Sequence, residues 1–380
     1  MAEELSRRGH ELHLFVPSCA ERVFTSLEKT VNEVQVYKRD LWQPGFALLN
    51  PLRYKRYLKQ VEDQERVIAG DIAGKEYDGI YTGQCRIWTE PPLLCFLPAD
   101  LPKAHYCAEP KRSFFERRFL EQMIRWPWWK KLWRMATIRW MKESMHRNIA
   151  AANLVLCNSS FSKENIAAAY PGVLPQVSAI GTDTGFFHPL TDPTQKEMVL
   201  LSIGAIDPSK NHAMAVRVAG LRPGGRDFRV QVIGDRSHGE TEADLKKLAR
   251  ELSVELEIRQ NISRDELAEA CRRSFCGLYC PLREPFGIAS IEIQASATPV
   301  LGRAEGGLLE TVAEGQSGYL LGDDPRDYAA KLALWLDDRE EYARLCAGAR
   351  ENALQNWDRE KKLRATAVQL EELFRKHKRR

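Results

Sequence analysis

What this sequence lacks narrows it first. Its nine cysteines are scattered over 380 residues without one C-x-x-C pair, so neither a zinc ribbon nor a redox dithiol is indicated. Cys271, Cys276 and Cys280 are close together. They fall on a helix and then a strand, and read as small core residues in a reducing compartment. No apolar run reaches the roughly 20 residues of a membrane-spanning helix. The opening Met-Ala-Glu-Glu has no signal-peptide features. There is no Asp-x-Asp pair, no internal repeat and no low-complexity linker. A net charge of only +4 gives no ground for nucleic acid as a partner.

What is present is ordinary for a globular chain, with 44% hydrophobic and 28% charged residues. The length suits two domains. Short apolar runs at Glu11–Val16, Val31–Lys38, Asp78–Thr82, Lys103–Cys107 and Leu154–Asn158 read as strands. A second series follows at Met198–Ile203, Phe228–Gly234, Glu255–Arg259 and Gly277–Cys280. Helical stretches lie between and after them, from Tyr54–Ala73 to a last helix over Asp358–His377. This alternation predicts an α/β chain with parallel sheets.

The most informative stretch is Leu282–Leu321. Glu284 and Glu292 are separated by seven residues, and Pro285, Phe286 and Gly287 follow the first. Glu284 sits just past a predicted strand end, where ligands bind in open parallel sheets. A helix is predicted from Phe286 to Ala297, with Ile288, Ile291 and Ala295 as its apolar face. Glu292 is then a half-buried carboxylate that needs a donor, such as a sugar or ribose hydroxyl. Gly306 and Gly307 precede Leu308 to Val312, a helix start whose N–H groups would face an anion. Alternatively, two glutamates at this spacing are a coincidence in a charged chain.

E-P-F-G-x4-E, T-P-V, G-G-x-x-E and G-x-x-G-Y-L-L together resemble the E-x7-E signature of the family 4 retaining glycosyltransferases. The resemblance runs from Met1 to about Gln369. It implies the GT-B fold, two Rossmann-like doubly wound parallel-sheet domains facing a cleft. Residues 1–188 would be the acceptor-side domain, 189–356 the nucleotide-sugar domain, and 357–380 a helix crossing back to the first. It implies transfer of a mannose- or glucose-type hexose from a UDP-sugar or GDP-sugar to a glycan or lipid-linked acceptor, with no cofactor or metal. Glu284 would hold donor sugar hydroxyls and Glu292 the ribose. Lys210, Gly306 and Gly307 would take the diphosphate, with Gly204, Phe286, Gly287 and Ile288 lining the donor site. Read without the resemblance, Lys210 is a surface lysine.

The chain departs from that pattern in three places. The family's first strand and glycine-rich turn are missing before Met1–Arg8, which reads as a helix end, and Gly9. Either the natural start lies roughly twenty residues upstream, enough for a strand and turn, or the chain is degenerate. Ala205 stands where relatives carry an arginine on the diphosphate, with Arg283 or Arg303 as candidate substitutes. Ala108 replaces a histidine in a Y-C-H-x-P-x-R segment, leaving Glu109 as the polar residue there. Glu109 reads equally as a catalytic-site group or as a solvated loop carboxylate.

Ser113 to Arg147 holds five of the nine tryptophans, namely Trp126, Trp128, Trp129, Trp133 and Trp140. Nine basic residues surround them: Arg117, Arg118, Arg125, Lys130, Lys131, Arg134, Arg139, Lys142 and Arg147. Basic residues beside interfacial aromatics suit an in-plane helix on anionic lipid. The alternative is a helix packing its tryptophans on its own domain. The expectation is a cytoplasmic enzyme, peripheral on the membrane through residues 113–147. Two rivals are a donor-binding remnant at a membrane and a sugar-nucleotide epimerase on the same fold.

Overall fold

The computed structural model describes residues 1–17, 29–37, 51–85, 87–115, 126–192, 196–237 and 239–378. The chain forms two compact units. Met1–Asn158, Ser162–Ser178 and Leu363–Arg380 make the first, and Ser159–Phe161 with Ala179–Lys362 the second. The division thus falls at Ser178, some ten residues before the boundary read from the sequence at 188. Within the last helix, Arg359–Lys378, it falls at Leu363. There Ala367 and Leu370 bury themselves against Leu5, Ala104, Leu154 and Leu156 of the first unit.

The first unit holds two parallel sheets. His13–Pro17 (β1) pairs with Glu33–Tyr37 (β2), Val16 lying opposite Val36. Ile80–Thr82 (β3), Lys103–Tyr106 (β4), Leu154–Cys157 (β5) and Gln176–Val177 (β6) form the other, in that order. No strand among the described residues joins β1 to β3. The long helix Pro51–Ala73 nevertheless serves both sheets. Its Ile68, Ala69 and Ile72 share one core with Phe15 of β1, Tyr37 of β2 and Ile80 of β3. The last helix is also tied to the chain's first turn. Arg8 donates from Nε and Nη2 to the two Glu371 oxygens, each at 2.7 Å, and holds that carboxyl down at about 2.

The second unit is one six-stranded parallel sheet. Its strands are Glu197–Ile203 (β7), Arg229–Gly234 (β8), Leu256–Gln260 (β9), Ser274–Tyr279 (β10), Val300–Arg303 (β11) and Gly318–Leu321 (β12). They lie in the order β12-β11-β10-β7-β8-β9. Strands covered on both faces read as continuous apolar runs, and β10 is buried at every residue. Helices flank the sheet. Arg264–Arg273 starts on a capping box, Ser263 accepting the Glu266 amide while Glu266 reaches back.

The helix Ile288–Ala295 is fixed at its end by Arg350. The Arg350 Nη1 donates to the carbonyls of Thr184 (2.9 Å), Phe187 (2.8 Å) and Ala295 (2.6 Å). Orphan carbonyls at a helix C-terminus need such a donor. Arg350→Ala is expected to destabilise the chain by about 2–3 kcal/mol, lowering the melting temperature by several degrees. An unchanged melting temperature would contradict this account of the clamp.

Candidate functional site

The order β12-β11-β10-β7-β8-β9 reverses between β7 and β10. The segments leaving the carboxyl ends of these two neighbours must diverge, and they open a crevice for a ligand. Gly204 to His212 follows β7, and Cys280 to Gly287 follows β10. Lys210 and Glu284 therefore meet there despite lying 74 residues apart. Lys210 Nζ donates to Glu284 Oε2 at 2.7 Å.

The loop after β7 is pinned from below. Asp207 Oδ1 accepts the Ser209 amide at 2.7 Å and starts the short turn Pro208–Lys210. His212, buried, places Nε2 at 3.1 Å from the Ala205 carbonyl and Nδ1 at 2.8 Å from Ser202 Oγ. A carbonyl only accepts, so Nε2 carries the proton and Nδ1 accepts from the serine hydroxyl. Burial lowers the His212 pKa, which keeps the ring neutral. The stem of Lys210 lies directly over Gly204, where an added Cβ would meet its Cγ and Cδ at 3.1 Å.

After β10, Glu284 is largely buried, and burial first and the Glu284 carboxylate second raise the pKa of the Tyr279 phenol. Gly306 and Gly307 lie under this segment. A Cβ at Gly306 would sit 2.4 Å from the Glu284 carbonyl oxygen, and one at Gly307 2.4 Å from Phe286 Cα. Only glycine permits that approach. The Gly307 amide donates to the Glu284 carbonyl at 2.7 Å. This corrects the reading in which both glycine amides face an anion. Of the two, only that of Gly306 has no acceptor among the described residues.

Phe286 also differs from its expected place. Its ring is in the core, edge-on to Trp357 with centroids 5.5 Å apart. The open groups here are instead backbone. The amides of Phe286, Gly287 and Ile288 have no acceptor among the described residues. They lead into the helix Ile288–Ala295, which starts at a left-handed Gly287.

That helix is not amphipathic in the expected sense. Ala289 to Ile291 and Ile293 to Ala295 are all buried, because helices pack on both flanks. Ile288 and Glu292, one turn apart, are the two positions left partly open. The Glu292 carboxylate has no hydrogen-bond partner among the described residues. Burial pushes its pKa up to about 7, against a weak opposing pull from Arg264.

The remaining expected residues lie elsewhere. Glu109 belongs to the first unit, 3.7 Å from Arg112. Arg303 is engaged by Glu305 at 2.9 Å and by Asp323, so it does not replace the arginine missing at Ala205. Arg283 lies over the Phe161 ring at 5.5 Å. Sequence reasoning missed His212 and Tyr279. The K-N-H run placed His212 beside the loop, but nothing in it showed which way the ring turned. Among the described residues no cluster of three or more His, Cys, Asp or Glu is set to hold a metal ion.

The raised Glu292 pKa has a consequence for stability. Its folded value of about 7 exceeds the unfolded 4.5, so the folded state holds the proton more tightly. The contribution is full below 4.5 and is lost as pH rises to about 7. Glu292→Gln should therefore be more stable than the parent at pH 8, by up to about 3 kcal/mol, and equal to it near pH 4. Denaturant unfolding at the two pH values measures this, and equal stability at pH 8 would refute it.

Residues 187–352 match the family described as Glycosyl transferases group 1. A D-inositol 3-phosphate glycosyltransferase of Nocardioides sp. is 30% identical over 237 residues, 55% of this chain and 52% of that protein. One from Geodermatophilus obscurus is 36% identical over 173 residues, 43% of this chain and 38% of that protein. The chain spans about half the length of the curated relatives it matches. Among solved structures, sucrose-phosphate synthase from Thermosynechococcus elongatus gives a TM-score of 0.70 at 16% identity, over 96% of this chain and 99% of that one. Anabaena HepE, solved with UDP and glucose, gives 0.65 at 16% identity, over 95% and 100%. At these identities the likeness is one of fold. The chain has the GT-B fold, and its residues 187–352 are similar to the group 1 glycosyl transferases.

Proposed function

We propose that this chain is a retaining hexosyltransferase acting from a nucleoside diphosphate sugar, UDP- or GDP-linked, onto a glycan or lipid-linked acceptor. The observation that carries the reading is Glu292, a largely buried carboxylate with no hydrogen-bond partner among the described residues, on the helix that follows the segment of the Lys210–Glu284 pair. Two ribose hydroxyls would supply the donors it lacks. Lys210, with the open Gly306 amide, takes the diphosphate and stabilises the charge that develops as it leaves. Glu284 and the amides of Phe286 to Ile288 hold the sugar hydroxyls and so place the anomeric carbon. In this reading the acceptor attacks from the face the diphosphate leaves, and the departing phosphate takes the acceptor proton. The names of the relatives and the UDP and glucose in HepE support a nucleotide-sugar donor.

The acceptor side of the proposal rests on the helix Trp128–Ala150. Its second half is anchored, with Ile138, Met141, Met145 and Ile149 in the core. Its first half is bare, with Trp128 at 76%, Leu132 at 64% and Met135 at 61% exposure on one face. Lys130, Lys131 and Arg139 flank that face. Arg117, Arg118 and Arg125 lie outside the described residues. No described helix is long and apolar enough to cross a membrane. We assign the bare face to the surface of an anionic bilayer, where a lipid-linked acceptor would be presented.

Thermal unfolding against UDP, GDP, ADP and their sugars tests the donor site. Ligand at about 100 times its dissociation constant should add roughly 2.7 kcal/mol, a shift of a few degrees. Glu292→Ala should abolish the shift. A melting curve that none of these ligands moves would overturn the reading. If a nucleotide binds but no sugar is transferred, the chain is a donor-binding remnant, which Ala205 would favour. For the membrane, sedimentation should show binding to vesicles containing phosphatidylglycerol. The triple change Trp128→Ser, Leu132→Ser and Met135→Ser should reduce it at least about tenfold. Equal binding by the triple variant, or to neutral vesicles, would remove that assignment.

A further inference from the structure

Lys210 and Glu284 have separate duties in the proposed reaction, yet without ligand they bind each other at 2.7 Å. We infer that this ion pair is an exchange latch: the donor's diphosphate takes Lys210 from Glu284, and Glu284 becomes free for the sugar hydroxyls only then. This rests on the nucleotide-sugar reading and adds an order of events to it.

The argument is electrostatic and steric. While paired, the two side chains are neutral together and offer a diphosphate little attraction. Glu284 alone would repel it. The Lys210 stem is held where it crosses Gly204, and the loop beneath is pinned by the His212 contact to Ala205. Only the far end of the side chain is left to turn, so one ammonium must serve either the carboxylate or the phosphates. Lys210 and Glu284 keep 24% and 12% of their side-chain surface, enough for an incoming anion to reach the ammonium. Once Lys210 turns away, Glu284 loses the one side-chain cation hydrogen-bonded to it among the described residues. The half-buried carboxylate is then short of donors, and sugar hydroxyls supply them. The two ends of the donor are thus coupled through one lysine.

A double-mutant cycle read by calorimetry with UDP and GDP tests the latch. Glu284→Gln keeps the shape but removes the charge that holds Lys210. It should tighten binding of the nucleoside diphosphate about tenfold, the scale of one charge-assisted contact. Lys210→Ala should weaken binding by a similar factor. In the Lys210→Ala background only the repulsion by Glu284 is left to remove, so Glu284→Gln should tighten binding clearly less than in the parent. Tightening of equal size in both backgrounds would mean simple repulsion by Glu284 and would overturn the latch. So would unchanged or weaker binding by Glu284→Gln alone. Should Glu284→Gln not fold, Glu284→Ala completes the same cycle. If the parent protein binds neither UDP nor GDP, the nucleotide reading fails and the latch fails with it. A latch that fails while the parent binds leaves the nucleotide reading standing.

Discussion

The constraint on which this structure turns is the reversal of strand order between β7 and β10. Parallel strands send all their carboxyl ends the same way. Where the winding changes direction, the connections part, and no helix closes over the gap. The ion pair at the candidate site hangs from those two strand ends. The loop from Gly204 to His212 hangs from one, and the segment from Cys280 to Gly287 from the other. A lysine and a glutamate far apart in the chain become neighbours because of topology and not because of any local motif.

Rigidity at this place comes from backbone contacts more than from side chains. Residues 284–286 rest on Gly306 and Gly307 with no room for a Cβ, and the Gly307 amide closes on the Glu284 carbonyl. His212 holds the opposite loop by a carbonyl. Arg350 holds the far end of the helix that carries Glu292 by three more. The charged groups are thereby presented on a fixed frame while their own tips stay free to change partners. A carboxylate kept buried without a donor is a standing cost, and proteins tolerate such costs mainly where a ligand repays them.

The sequence showed much of this, and its failures share one cause. Short apolar runs placed nine of the strands within a few residues, since strands buried on both faces must be apolar throughout. The E-x7-E spacing singled out Glu284 and Glu292. The periodicity argument for the helix between them did not hold. Ile288, Ile291 and Ala295 were expected to form its core face, yet flanking helices bury almost the whole circumference and leave Ile288 partly open. Phe286 read as a pocket residue and turned inward to Trp357. Arg303 read as a spare cation and was already held by Glu305 and Asp323.

The sequence by itself determined the layer architecture, the two series of strands, and the residues able to meet an anion and hydroxyls. Those follow from local composition and spacing, which act over a few residues. Only the tertiary structure decided that Lys210 is held by Glu284, that the Gly307 amide is taken, and that Glu292 stands without a hydrogen-bond partner among the described residues. Each is a matter of what lies opposite, 23 to 74 residues away in two of the cases. Partnership across such distances is set by packing, and no property of the residue alone encodes it.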